Sequence, residues 1–394
     1  MMLANSWGTF MMSPAGVDAQ GRFLGNYWHV LHNALWTPLN IHRITGNIIL
    51  GASVMAAYAA YQARTARIQR DRAYYDWMGY VSFLIMVFAI FTVPFGGYWL
   101  SREIYSYKQL MGIIMFGGLL AWWGVILVFL IGALFVAINY YLWQRIEATG
   151  ETERYRHYAK YVFFILLVCF LVYVTPHTYV MSPSEVEAIG GQQHPILGNF
   201  GVESAKQPAI NVMTVVTVWS LIMLWQSRYF TETVIYPIGQ PTLVGLFLAG
   251  AVNILWLGIY GFYVPANTRV GLSVPMVITT LSIIVFGSVL TLRTVFRTKF
   301  IIKPMEWGNL SARGYLTLLF IAVTVTWIMG LGGYRRSSLR LFWHATEVFR
   351  DNSPWAFTHT VGFAANVITI NVLFFWCALL FTFWLAKLTE AGSR

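Results

Sequence analysis

Residues Asn33–Ile49 read NALWTPLNIHRITGNII. An aromatic, proline-bearing segment runs here into an apolar helix, and His42 stands where the chain goes in. Small residues follow at helical spacing, Gly46, Ser53, Ala57 and Ala60. Such a stripe lets a flat prosthetic group lie against a helix, and it equally suits two helices packed closely together. Both readings stay open at this point, but either one makes the stretch the start of a membrane-spanning helix.

The rest of the chain agrees with that start. Hydrophobic residues make up 58% and charged residues 10%, with a mean hydropathy of +0.60, a balance outside the soluble range. Runs long enough to cross a hydrocarbon core of ~30 Å recur at roughly 41–61, 77–99, 108–143, 159–180, 209–227, 242–264, 270–291, 313–331 and 362–387. No long polar segment separates them. The expected fold is an all-α, polytopic integral membrane helix bundle of about nine transmembrane helices with its N-terminus outside. Residues 1–40 read as an outer interfacial segment, with Trp7, Tyr27, Trp28 and Trp36 suited to a membrane surface. Residues 41–145 read as a first helix bundle, and 146–394 as the remaining helices with outer loops at 181–208 and 332–361.

The net charge of +11 could suggest nucleic acid, but its distribution points to a membrane. With the N-terminus outside, the inner segments hold Arg64, Arg67, Arg70, Arg72, Arg145, Arg154, Arg156, Lys160, Arg228, Arg293, Arg297, Lys299, Lys303 and Arg313. Lys387 and Arg394 bring that set to sixteen of the 26 basic residues. This is the positive-inside bias, which sets orientation. Cys169 and Cys377 both fall inside apolar runs, so neither offers an exposed disulfide or a metal pair. There is no CxxCH for covalent haem attachment, and MMLANSWGTF lacks the basic region and apolar core of a signal peptide.

The histidines are skewed to one side. In this topology His29, His32, His42, His177, His194, His344 and His359 lie outside or at outer helix ends, and only His157 lies inside. That skew argues for a redox or metal site near the outer face, although outer loops are also the longer ones. His42 and Met111 each fall in the first turn of a helix running inward, so their side chains share a depth. A His–Met pair across two helices can clamp a low-spin haem b; Met115, one turn deeper, is the alternative ligand. A membrane methionine is also ordinary core filler.

Between those helices runs Gly96-Gly97-Tyr98-Trp99-Leu100-Ser101-Arg102-Glu103-Ile104-Tyr105, with SREIYSYK read as a short outer loop. Glu103 and Arg102 beside aromatics can bind a quinol and take its protons, or be a solvated loop. His177 and His194 flank a loop with Glu185 and Glu187, and His344 accompanies Glu347, Arg350 and Asp351. These histidines, with His29 and His32, are weaker metal or second-haem candidates, since none has a tight ligand spacing.

The N-terminal third or so resembles subunit I of the cytochrome bd quinol oxidases. Ala4-Asn5-Ser6-Trp7, then Pro14 and Gly16, then Asn33–Pro38 and a helix opening with His42, follow that family's pattern over about the first 145 residues. There, His42 matches the axial histidine of the quinol-side haem b, and Gln109–Met111 matches the axial methionine with its preceding Arg replaced. A closer resemblance, along most of the chain, is to bd-like membrane proteins encoded near multihaem c-type cytochromes. It rests on WTPLNIHRITGN, PFGGYWLSREIY, TPHTYV, HPILGNFGV and WHATEVFRDNSP.

The resemblance implies a membrane subunit in the bacterial inner membrane carrying haem b, with quinol as substrate and an outer c-type cytochrome as electron partner. The chain departs from the oxidases in lacking the earlier helices with their oxygen-reducing haem ligands, the long quinol loop and a GRQPW motif; YRRSSLRLFW stands in a similar place. A sister membrane subunit supplying the missing helices is therefore expected. Two other readings stand beside this one. A haem-free, quinol-binding anchor of a reductase complex needs the same pocket without the iron. A transporter needs charges at helix centres, which these runs nearly lack.

Overall fold

In the computed structural model, residues 2–18, 20–108, 111–112, 115, 121–150, 152–174, 206–230, 239–262, 264, 266–297, 301–302, 305–354 and 356 are described, with scattered positions between 363 and 384. Two compact units share the chain, 1–33 with 340–394, and 34–339.

The larger unit is a helix bundle. It holds α3 (Trp36–Thr65), α4 (Gln69–Tyr107), α5 (Ala121–Ala148), α6 (Thr152–Val174), α7 (Lys206–Gln226), α8 (Gly239–Phe262), α9 (Ala266–Arg297) and α10 (Ala312–Ser338). All eight are long and apolar enough to cross a membrane, so the protein is an all-α, multi-pass membrane protein. The ninth expected run, 362–387, lies largely outside the described residues.

Helix ends differ from the hydropathy reading. α3 begins at Trp36, five residues before the apolar run, with Pro38 in its first turn, where a missing N–H costs nothing. α4 runs unbroken through Pro94 to Tyr107. SREIYSYK is thus the last turns of a helix, and the true break is at Lys108. At 1.5 Å per residue its 39 residues span about 58 Å, well beyond the hydrocarbon core. Charged residues on the overhang cost little, because that part of the helix is in the headgroup layer or water. α5 likewise continues past Trp143 to Ala148.

α3 and α4 form a hairpin across the three residues Ala66–Ile68, and α10 packs on both α3 and α5. Small side chains make the hairpin close. Ser53, Ala56, Ala59, Ala60 and Ala63 are buried, and a Cβ at Gly79 of α4 would sit 3.4 Å from the Ala59 Cβ. α5, α6 and α7 form one triangle, and α7, α8 and α9 another.

α7 is the central member. Of its apolar window 78% is buried, against 22–50% for the other seven spans. Its buried face carries Asn211, Thr214, Thr217 and Ser220. Thr214 and Thr217 donate to backbone carbonyls one turn back, and the Asn139 amide of α5 donates to Thr217 Oγ1 at 2.8 Å. Bonds of this kind substitute for the hydrophobic effect, which does not drive helix association in lipid. A two-stranded pair, β1 (Tyr229–Phe230) with β2 (Ile301–Ile302), joins the chain after α7 to the chain after α9.

The smaller unit contains α1 (Met2–Phe10), α2 (Tyr27–Leu31) and the hairpin β3 (Trp343–Ala345)–β4 (Phe349–Arg350). Polar side chains hold it together. Asn5, Ser6, Thr9, Ser13 and Asn33 are buried. Ser13 Oγ donates to Asn33 Oδ1 at 3.0 Å, and Asn33 Nδ2 donates to the Val30 carbonyl. Thr346 donates its N–H and hydroxyl to the Met11 carbonyl, bringing the hairpin to the N-terminal segment.

Candidate functional site

His42 lies in the second turn of α3, on the side facing α4. A Cβ at Gly96 would meet its Cα at 3.3 Å, and one at Gly97 would meet its ring at 3.6 Å (Cε1) and 3.7 Å (Nδ1). The glycine pair therefore gives the imidazole its place. Nδ1 is buried and has no hydrogen-bond partner among the described residues, an unusual condition for a buried ring nitrogen.

One turn further in, the missing side chain of Gly46 is replaced by Met329 of α10, whose Sδ would be 3.4 Å from a Cβ there. The small-residue stripe is thus filled from other helices: Gly46 receives Met329, and Ser53 and Ala60 are buried, the latter within the hydrophobic core. Helix packing takes up most of the stripe, while Ala57 stays half-buried. The unpartnered nitrogen fits a histidine that would hold a haem iron at the N-terminal end of α3.

Met111 is buried just beyond the break at Lys108, and Met115 is half-buried. Glu103 is half-buried and Arg102 exposed, both on the last turns of α4. Tyr105 fills the space beside Gly112, where a Cβ would come within 2.4 Å of its ring. The contacts of His42 named above are with α4.

The other histidines have local roles. His32 stacks on Trp28 with centroids 3.6 Å apart and places Nδ1 3.2 Å from the Trp28 carbonyl. His29 is exposed. His344 stacks on Phe349 and lies 3.4 Å from Asp351 Oδ1. His177, His194 and His359 lie outside the described residues. Among the described residues no three His, Cys, Asp or Glu side chains converge to hold a metal ion.

Two buried charged sites, three residues in all, were not singled out by sequence. Asp76 of α4 and Arg145 of α5 form an ion pair whose side chains are 0% and 1% exposed. Arg145 Nη1 and Nη2 donate to the two Asp76 oxygens at 2.9 and 2.6 Å, and Nε donates to Tyr141 Oη at 2.9 Å. Tyr80, Tyr141 and Trp307 present ring faces 5.2–5.5 Å from the guanidinium. Gly308 donates its N–H to Asp76 Oδ2 at 2.9 Å, tying the segment before α10 to the pair. The second is Arg335 in the last turn of α10, 7% exposed, with its guanidinium against Gly124 of α5.

Asp76 and Arg145 share a depth at the other helix ends, as His42 and Met111 were expected to do at theirs. Asp76 stands two turns into a helix running outward, and Arg145 one turn from the end of a helix running inward. Comparison with family models, with curated proteins and with solved structures finds no match to this chain.

Proposed function

We propose that the chain is a haem b-bearing membrane subunit of a bd-like respiratory complex. It passes electrons between membrane quinol and an outer c-type cytochrome or a partner oxygen-reducing subunit. The observation that carries this reading is the buried, unpartnered Nδ1 of His42 at the outer end of the first span. A buried polar atom without a partner costs about 1–3 kcal/mol, which a ring committed to metal coordination justifies.

His42 would hold the iron of a haem b, with Met111 as the second protein ligand and Met115 as the alternative. Bound haem b supplies one-electron transfer. The chain's own residues do the rest: Gly96 and Gly97 fix the imidazole, Glu103 takes a proton from a quinol hydroxyl, and Arg102 attracts the head group at the lipid surface. The complex includes a sister membrane subunit and resides in the bacterial inner membrane.

One observation favours a second reading, a haem-free quinol-binding anchor: the stripe on α3 is closed by helix packing. A reduced-minus-oxidised visible spectrum of the purified protein, beside His42→Ala, separates the two. A b-type signal lost in the variant is the expected result. No signal in the wild type moves the assignment to the anchor, and a signal that survives in His42→Ala moves the ligand elsewhere.

A further inference from the structure

At the end of the bundle opposite His42, a cleft of about 460 Å³ opens between the last turns of α5 and the start of α10. Tyr140, Trp143, Gln144, Glu147, Ser311 and Arg313 line it. Its frame is fixed by Gln144, which is buried. The Ser311 hydroxyl donates to Gln144 Oε1, and Gln144 Nε2 donates to Glu147 Oε2 at 2.6 Å. One buried amide thus joins the two helices and sets a carboxylate on the wall. Trp143 and Tyr140 are half-buried and add aromatic surface, and Arg313 is exposed, with no ion pair among the described residues. The cleft therefore offers an anion, a cation and aromatic faces together.

Below Arg313, the same face of α10 is apolar and uncovered. Leu316, Phe320, Val323 and Trp327 are 48–61% exposed, at helical spacing down one side. From Arg313 to Trp327 the rise is about 21 Å, enough to cross the ~15 Å hydrocarbon half of one leaflet. Arg64 in the last turn of α3 and Arg67 in the link that follows belong to this end, the depth at which headgroups lie.

We infer that this cleft binds a zwitterionic phospholipid. Its ammonium lies on the Glu147 and Trp143 side, its phosphate on Arg313, and one acyl chain along Leu316–Trp327. A carboxylate with an aromatic face is a receptor for a substituted ammonium, and a guanidinium is one for a phosphate. A neutral quinone ring uses neither charge, and an anionic lipid leaves Glu147 facing a negative or neutral headgroup.

The test is lipid retention by native mass spectrometry, on protein stripped in detergent and then exchanged into nanodiscs of phosphatidylethanolamine and phosphatidylglycerol in equal amounts. The wild type is expected to retain one phosphatidylethanolamine through gentle detergent release. Glu147→Gln and Arg313→Gln are expected to lower that retention by roughly tenfold, about 1.4 kcal/mol, while an exposed control, Arg67→Gln, leaves it unchanged. Circular dichroism confirms that the variants are folded. Equal retention of phosphatidylglycerol, co-purified quinone in place of lipid, no retained lipid, or retention indifferent to both variants each overturns the assignment. The haem spectrum is a separate readout at the other end of the bundle, so neither result decides the other.

Discussion

Arg145 shows how a charge becomes tolerable inside a membrane protein. Its guanidinium spends its donors on the two Asp76 oxygens, the Asp76 carbonyl and the Tyr141 hydroxyl, and aromatic rings flank it. Breaking such a pair from one side strands the other charge, which typically costs 3–5 kcal/mol. Arg145→Met should therefore destabilise the protein by about that much, and Asp76→Asn by a comparable amount. The double variant should be more stable than the sum of the two predicts, because no lone charge is left. Thermal unfolding in detergent measures all three; strict additivity would show that the pair contributes no coupling.

Gly308 belongs to the same cluster. Its φ is +88°, and a Cβ there would come 3.2 Å from the Ala73 backbone nitrogen. Gly308→Ala should cost at least about 1 kcal/mol, read in the same unfolding experiment. None of this was prominent in the sequence. Arg145 reads as one more inner-loop cation, since composition cannot tell a solvated arginine from one whose helix continues another turn.

At the scale of the element, the seam between α3 and α4 was half legible. The small residues on α3 point to close contact, but sequence cannot say whether a cofactor or a helix fills the space. The structure gives most of it to helices, with Gly79 against Ala59 and Gly46 against Met329. The limits of α4 were hidden for another reason. Hydropathy reports where lipid ends, not where the backbone ladder ends, so an overhang of Ser, Arg, Glu and Tyr looks like a loop.

The seam yields a graded test. At Gly97 a Cβ makes ordinary contact with His42, 3.6–3.7 Å, whereas at Gly96 it comes within 3.3 Å of the His42 Cα. Gly97→Ala should be nearly neutral. Gly96→Val should force the helices apart and cost about 1–3 kcal/mol. If haem is bound, Gly96→Val should also lower its occupancy in the purified protein, measured as the ratio of Soret to 280 nm absorbance. Equal behaviour of the two variants in unfolding would mean the helices do not meet at this glycine pair.

At the scale of the whole molecule, the eight spans follow directly from apolar runs, because only a helix satisfies its own backbone in lipid. The division into two units was not legible: the residues before α3 and those after α10 are joined by polar contacts, such as Thr346 to Met11, that have no periodic signature. Orientation follows from where the cations fall. The link between α3 and α4 lies within Arg64, Arg67, Arg70 and Arg72, and among the described residues eight spans lie between the N-terminal segment and the β3–β4 hairpin. On the positive-inside rule Arg67 is expected in the cytoplasm and Asn352 outside.

Cysteine labelling tests that assignment. Cys169 and Cys377 are free thiols, the first buried and the second exposed, so both are first changed to Ser. Arg67→Cys and Asn352→Cys then place single thiols at exposed positions. In intact cells, a charged maleimide should label Asn352→Cys and spare Arg67→Cys until the membrane is lysed. The reverse pattern would invert the bundle, carrying His42 and Glu103 to the cytoplasmic side and overturning the proposal of an outer cytochrome as electron partner.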